Sequence, residues 1–214
     1  MNNEGLFGKG VNWLTALYFV VFGIILVLTA HGDMVLWFNA RHNSALDTFF
    51  KYWTYLGDGV LLGVLGLALL LTNYYRFFMF LIAVAIQTVL VHVFKQWLSA
   101  GEPRPKTFFV DQLDTLNFVE GVTVRGYDSF PSGHTASAFT LFFFLILIAK
   151  SEALRITLFF TAVLVGLSRV YLIQHFARDI YVGSLFGVIS VLVAYMIFEK
   201  ESNDTKLQKG LLKR

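Results

Sequence analysis

Six apolar runs, at roughly 11–30, 58–73, 76–97, 136–149, 154–172 and 179–198, constrain this chain more than any other feature it has. Several come near the ~20 residues that carry a helix across ~30 Å of hydrocarbon, and the second and fourth are short enough to need flanking residues. Inside a bilayer the backbone must satisfy its own hydrogen bonds, so such runs are read as helices. Only 14% of the residues are charged, where a soluble domain carries roughly a quarter. The expected fold is all-α and polytopic, with six transmembrane helices in a single domain over 1–214. The first run is long and only Lys9 precedes it, so it reads as a retained helix rather than a cleaved signal peptide.

Residues 31–57 set Trp37, Phe38, Phe49, Phe50, Tyr52, Trp53 and Tyr55 against Arg41, Asp47 and Lys51. That mixture fits an interfacial helix among the headgroups, acting either as a plain aromatic belt or as a guide for substrate. Gly59-x-x-x-Gly63 and Gly183-x-x-x-Gly187 read as places of close helix packing. With a cytoplasmic N-terminus, Lys9, Arg76, Lys150, Arg155 and a basic tail (Lys200, Lys206, Lys209, Lys213, Arg214) put nine of the 17 Lys and Arg residues inside. Most of these flank span ends, where they set orientation. Six spans then bring the end of the third, the start of the fourth and the fifth-to-sixth junction to the outer face. The expected location is a bacterial inner membrane. There is no cysteine, which excludes disulfides and thiolate metal sites. The net charge of +3 is small and partly in the tail, so it gives no reason to expect a nucleic-acid partner.

Three polar clusters fall at that outer face: Lys95 with Arg104-Pro105, Pro131-Ser132-Gly133-His134, and Ser168-Arg169 followed by His175 and Asp179. Cationic and titratable side chains are costly near hydrocarbon and need a reason to be there. Ser132 and Gly133 open a helix whose free N–H groups attract anions, although Ser132 also reads as an ordinary N-cap. His134, at the same terminus, can protonate a leaving oxygen or serve as an interfacial polar residue. His175 and Asp179 are four apart and on a helix would share a face. The carboxylate can then hold one ring nitrogen and leave the other as a nucleophile, or the pair can be structural. Arg169 offers a planar fork of donors suited to phosphate oxygens. Lys95, Arg104 and Arg169 against Asp179 leave a charge of +2 with neutral histidines, which matches a phosphate monoester dianion.

These three clusters resemble, in content and order, the signature of the type 2 phosphatidic acid phosphatase (PAP2) superfamily, with the signature region at about 90–198. The resemblance implies a membrane phosphatase acting on lipid phosphates. It implies that His175 attacks phosphorus to give a phosphohistidine, that Asp179 orients it, and that His134 is the general acid. Lys95, Arg104, Ser132, Gly133 and Arg169 would bind the phosphoryl oxygens. Neither a metal nor a cofactor is implied. The substrates implied are phosphatidic acid, phosphatidylglycerol phosphate, polyprenyl (undecaprenyl) diphosphate and lipid A phosphates, reached from within the bilayer.

One spacing departs from the family pattern, which places six residues between the lysine and Arg-Pro. Here eight separate Lys95 from Arg104, Trp97 stands where the lysine would fall, and Lys106 is an alternative cation. His92 reads as a packing residue, and His31 and His42 receive no role. The loop over about 99–130, with a short helix expected near 111–119, is the candidate for contacts to the headgroup beyond the phosphate. Three other functions use the same residues: transfer of the phosphoryl group to a lipid acceptor, vanadate-dependent haloperoxidase chemistry, and a transporter or scaffold with a non-catalytic anion site.

Overall fold

The computed structural model describes residues 5–199 and 209–212. The apolar runs form α1 (Lys9–Leu28), α4 (Gly59–Thr72), α5 (Tyr74–Val93), α7 (Gly133–Ile148), α8 (Glu152–Tyr171) and α9 (Ala177–Phe198). Between them lie α2 (Asp33–Asn39), α3 (Ser44–Trp53) and the one-turn α6 (Pro105–Phe108). Side chains start several of these helices by satisfying free backbone donors. Asn43 accepts from the Leu46 N–H at 3.0 Å, Asn73 from that of Arg76 at 2.9 Å, and Ser132 from that of Thr135 at 3.4 Å. Pro105 occupies the first position of α6, where a missing N–H costs nothing.

The chain is an all-helical membrane protein. Among the described residues, four helices are long and apolar enough to cross a bilayer, namely α1, α5 with its extension to Leu98, α8 and α9. A fifth crossing arises if Ser44–Gly57 and Gly59–Thr72, bent by 46° to each other, act as one span. The 16 residues of α7 make only about 24 Å of helix, short of the hydrocarbon thickness. Its position explains this: α7 is the innermost helix, wrapped by α5, α8 and α9, with Phe139, Phe143, Phe144 and Ile146 fully buried. A helix apolar all round is one surrounded by other helices or by lipid, and here it is helices.

Gly183 and Gly187 let α9 lie directly on α7. A Cβ on Gly187 would stand 2.5 Å from the Phe139 Cβ and 2.8 Å from the Ala136 carbonyl. Gly59 and Gly63 behave differently from expectation, because nothing lies within 4 Å of a Cβ at either position. They line an apolar groove of about 450 Å³ between α4 and α5, with Phe77, Phe80, Leu81 and Val84 on its other wall. The single interfacial helix expected over 31–57 is instead two, α2 and α3, broken where Asn43 caps the second. The helix expected near 111–119 is a 3₁₀ turn over Val110–Thr115.

The two ends of the bundle differ in character. At one end the Gly10 N–H donates to Glu152 Oε1 at 2.8 Å and the Tyr74 N–H to the Lys209 carbonyl at 2.8 Å. This gathers the starts of α1, α5 and α8, with Lys9, Arg76, Arg155 and Lys209, at that end. Lys200, Lys206, Lys213 and Arg214 of the basic tail lie outside the described residues. The three polar clusters gather at the other end.

Candidate active site

The turn from α8 into α9 places the histidine. The Arg169 carbonyl accepts from the N–H groups of both Gln174 (2.9 Å) and His175 (3.1 Å). Ile173 takes a left-handed conformation with φ of 58°, which costs a β-branched residue roughly 1–2 kcal/mol. Its side chain is almost fully buried, and burial of that size offsets the cost. His175 therefore precedes α9 instead of riding on it, so the pair does not share one helix face as the four-residue spacing predicted. Asp179, in the first turn of α9, reaches back. Its Oδ2 lies 3.3 Å from His175 Nδ1 and accepts from the Phe176 N–H at 3.0 Å and the Ser129 hydroxyl at 2.5 Å. Among the described residues Asp179 Oδ1 has no hydrogen-bond partner, and it lies 3.5 Å from Arg178 Nε. Arg178 in turn is paired with Glu102.

The second cluster is tied to the third through the backbone, since the Ser132 N–H donates to the Asp179 carbonyl at 3.0 Å. Ser132 is fully buried, and its hydroxyl accepts from Thr135 Oγ1 at 2.9 Å. It caps α7 from behind the cavity wall, while Gly133 and His134 line the cavity itself. Gly57 sits against this terminus so closely that a Cβ there would stand 2.7 Å from the His134 carbonyl.

The cations are held by neutral partners. Arg104 is buried and donates from Nε to the Tyr127 carbonyl (2.8 Å), from Nη1 to Gln174 (3.0 Å to its carbonyl) and from Nη2 to the Asp128 carbonyl (3.2 Å). Lys95 Nζ donates to that same Asp128 carbonyl at 2.8 Å. Asp128 turns this oxygen inward from a left-handed conformation with φ of 58°, which Asp tolerates better than most residues. Lys95 lies in a π-helical turn, Phe94–Leu98, at the end of α5, and such turns recur at functional sites. Lys106 is exposed and does not line the cavity. Arg169 donates from Nη1 to Thr54 Oγ1 at 2.7 Å, and its buried Nε has no partner among the described residues.

Lys95, Arg104, Gly133, His134, Arg169 and His175 thus open on one cavity of about 470 Å³, completed by Lys51, Thr54, Asp58, Arg125 and Gln174 among others. Among the described residues, none of the three cations Lys95, Arg104 and Arg169 is paired with a carboxylate. Burial, then the charges of Arg104, Arg169 and Lys95, hold His175 well below its ordinary pKa of 6.5, which favours the uncharged imidazole. Burial, and after it the charge of Arg125, lower the pKa of Arg104.

The model of the PAP2 superfamily matches residues 76–203. The chain belongs to the PAP2 superfamily. The structure of LpxE from Aquifex aeolicus is similar, at 30% identity and a TM-score of 0.66, over 77% of this chain and 93% of that one. The first transmembrane PAP2 type phosphatidylglycerolphosphate phosphatase from Bacillus subtilis shares the fold at 23% identity and a TM-score of 0.64, over 88% of this chain and 96% of that one. The sequence has no significant match among curated proteins. The PAP2 membership supports a phosphatase.

Several residues of the candidate site carry no local sequence signal. Ser129 holds Asp179, Thr54 holds Arg169, and Gln174 holds Arg104 through both its carbonyl and its side chain. His31 stacks on Phe176, with ring centroids 3.9 Å apart, beside the His175 turn. His92 is exposed and does not line the cavity.

Proposed function

We propose that the whole chain acts as one domain that hydrolyses a lipid phosphate monoester or diphosphate at the outer face of a bacterial cytoplasmic membrane, through a phosphohistidine. The observation that carries this is the buried His175, backed by Asp179, on the same cavity as three cations that lack carboxylate partners among the described residues. An unpartnered donor such as Arg169 Nε calls for an explanation in a buried site, and a bound phosphoryl oxygen supplies one.

Pairing with Asp179 assigns the proton to Nδ1 and leaves the Nε2 lone pair free. Nε2 forms the bond to phosphorus as the bond to the lipid oxygen breaks. His134, entering this step as the imidazolium, gives that oxygen its proton and is left neutral. Water then attacks the phosphorus, its proton passes to His134, and the P–N bond breaks to release phosphate. Lys95, Arg104, Arg169 and the α7 terminus capped by Ser132, with the Gly133 N–H, stabilise the charge that develops on the phosphoryl oxygens. The segregation of Lys9, Arg76, Arg155 and Lys209 to the opposite end supports six passes with the site outside. In that topology α7 is a short pass whose start is recessed where the phosphate sits.

The test is phosphate release by the detergent-purified protein in EDTA, from phosphatidic acid, phosphatidylglycerol phosphate and a polyprenyl diphosphate, with His175→Ala alongside. Release that persists in EDTA and disappears in the variant is the expected result. Release that His175→Ala leaves intact overturns the mechanism, and a phosphorylated lipid in place of inorganic phosphate would redirect the reading to phosphoryl transfer.

A further inference from the structure

The chemistry above uses one end of the cavity. His175, Arg169, Arg104, Lys95 and the α7 terminus already supply enough charge for one phosphoryl group, yet the space is about 470 Å³, within the range of pockets that enclose whole small ligands. Two further cations, Lys51 and Arg125, line the remainder.

Neither is neutralised. Lys51, on α3, donates to the Glu120 carbonyl at 2.7 Å, which fixes its ammonium at the cavity wall. The chain comes this close because Gly121 has φ of +74° and no side chain; a Cβ there would lie 2.7 Å from Nζ. Arg125 has no hydrogen bond or ion pair among the described residues, and its charge acts directly on Arg104. Among the described residues the one carboxylate residue lining the cavity is Asp58, and its charge acts on His134 and Arg169, at the reacting end. Five cationic residues therefore face one acidic residue across a single space. A phosphate monoester carries at most two negative charges, and leaves the half-buried Lys51 and the exposed Arg125 facing only solvent.

Building on the phosphatase reading, we propose that Lys51 and Arg125 form a second phosphoryl subsite, so that the substrate is a lipid with two phosphoryl groups. The second group is either the inner phosphate of a diphosphate or a phosphodiester in the headgroup. Both present the same anionic oxygens to an ammonium and a guanidinium.

The full-length protein in mixed micelles is assayed on dioleoyl phosphatidic acid, dioleoyl phosphatidylglycerol phosphate and a polyprenyl diphosphate. At least a tenfold higher kcat/KM on one of the two-phosphoryl lipids than on phosphatidic acid is expected. A preference for the diphosphate identifies an adjacent phosphate, and a preference for phosphatidylglycerol phosphate identifies the diester. Lys51→Gln and Arg125→Gln should each lower that ratio at least fivefold, and Lys51→Arg should restore it. The ratio is independent of how much variant protein is folded. Phosphatidic acid as the best substrate, or a ratio unmoved by both variants, overturns the subsite while leaving the phosphatase reading intact. Silence on all three lipids overturns that reading and the subsite with it.

Discussion

Ser129→Ala isolates the support of the histidine–aspartate pair from the pair itself. Ser129 is fully buried and does not line the cavity, and its hydroxyl is one of three groups that converge on Asp179 Oδ2. Its own N–H is anchored on the Glu102 carbonyl at 3.2 Å, so the backbone stays in place when the hydroxyl is removed. A hydrogen bond to a charged group contributes about 1.5–3 kcal/mol, and the folded protein should lose that much stability. The catalytic effect is smaller, because the bond exists both before and during phosphoryl transfer and only its strengthening in the transition state counts. As positive charge develops on His175, a less firmly held carboxylate stabilises it less. At 1.36 kcal/mol per tenfold, a third to a half of the bond gives a fall in kcat of roughly two- to thirteenfold. KM should barely change. The assay is steady-state phosphate release, with Asp179→Asn and the double variant in parallel. Because Ser129 acts through Asp179, the double variant should be no slower than Asp179→Asn beyond about twofold, since residues that act through one another are not additive. Independent, multiplicative losses would refute the coupling, and a wild-type kcat in Ser129→Ala would refute the contact as a positioning device.

Protonation removes the nucleophile, and burial with the surrounding cations holds the His175 pKa below 6.5, so the acid limb of kcat/KM should lie below pH 6.5; a limb centred above it would contradict the neutral histidine. The unfolded chain takes up that proton first as pH falls, so the stability linked to His175 is full above pH 6.5 and declines below it, which unfolding at pH 7.5 and 5.5 would show. Thr54→Val leaves Arg169 Nη1 without its partner; an unsatisfied buried donor costs about 1–3 kcal/mol, predicting a loss in kcat/KM of roughly 5- to 150-fold that Thr54→Ser recovers. Gly187→Ala forces a Cβ against α7 backbone and should destabilise the protein by about 1–3 kcal/mol, whereas Gly63→Ala, with nothing within 4 Å, should unfold like the wild type.

The parts of the molecule legible in the sequence are those in which a local rule decides. Hydrocarbon forces long apolar runs into helices, so their limits could be read to within three residues once the turn ending α5 is included. The motif residues announced themselves by polarity in apolar surroundings. What stayed hidden depends on pairing across the chain. Thr54 and Arg169 are 115 positions apart, and Ser129 and Asp179 are 50 apart. Thr54 and Ser129 are ordinary polar residues until the fold brings their partners to them. The uniform hydrophobicity of α7 likewise could not distinguish a helix facing lipid from one facing other helices.

Lys95 shows why spacing alone misleads at a helix end. Two extra residues before Arg104 would, on a regular helix, move the lysine about 3 Å along the axis and turn it by roughly 200°, given 3.6 residues per turn. The helix is not regular there. Over Phe94–Leu98 it widens into a π turn closed by the Ser99 N–H on the Phe94 carbonyl at 2.9 Å, and a π turn takes up added residues by spreading rotation over a larger ring. The Ser99 hydroxyl then donates to the Phe130 carbonyl at 3.1 Å, tying this turn to the residue before Pro131. Lys95 consequently faces the cavity and meets Arg104 on a shared acceptor, the Asp128 carbonyl. The first and second clusters are thus joined by side-chain contacts to backbone carbonyls that no motif contains, and the π turn, one residue larger than an α turn, takes up one of the two extra residues.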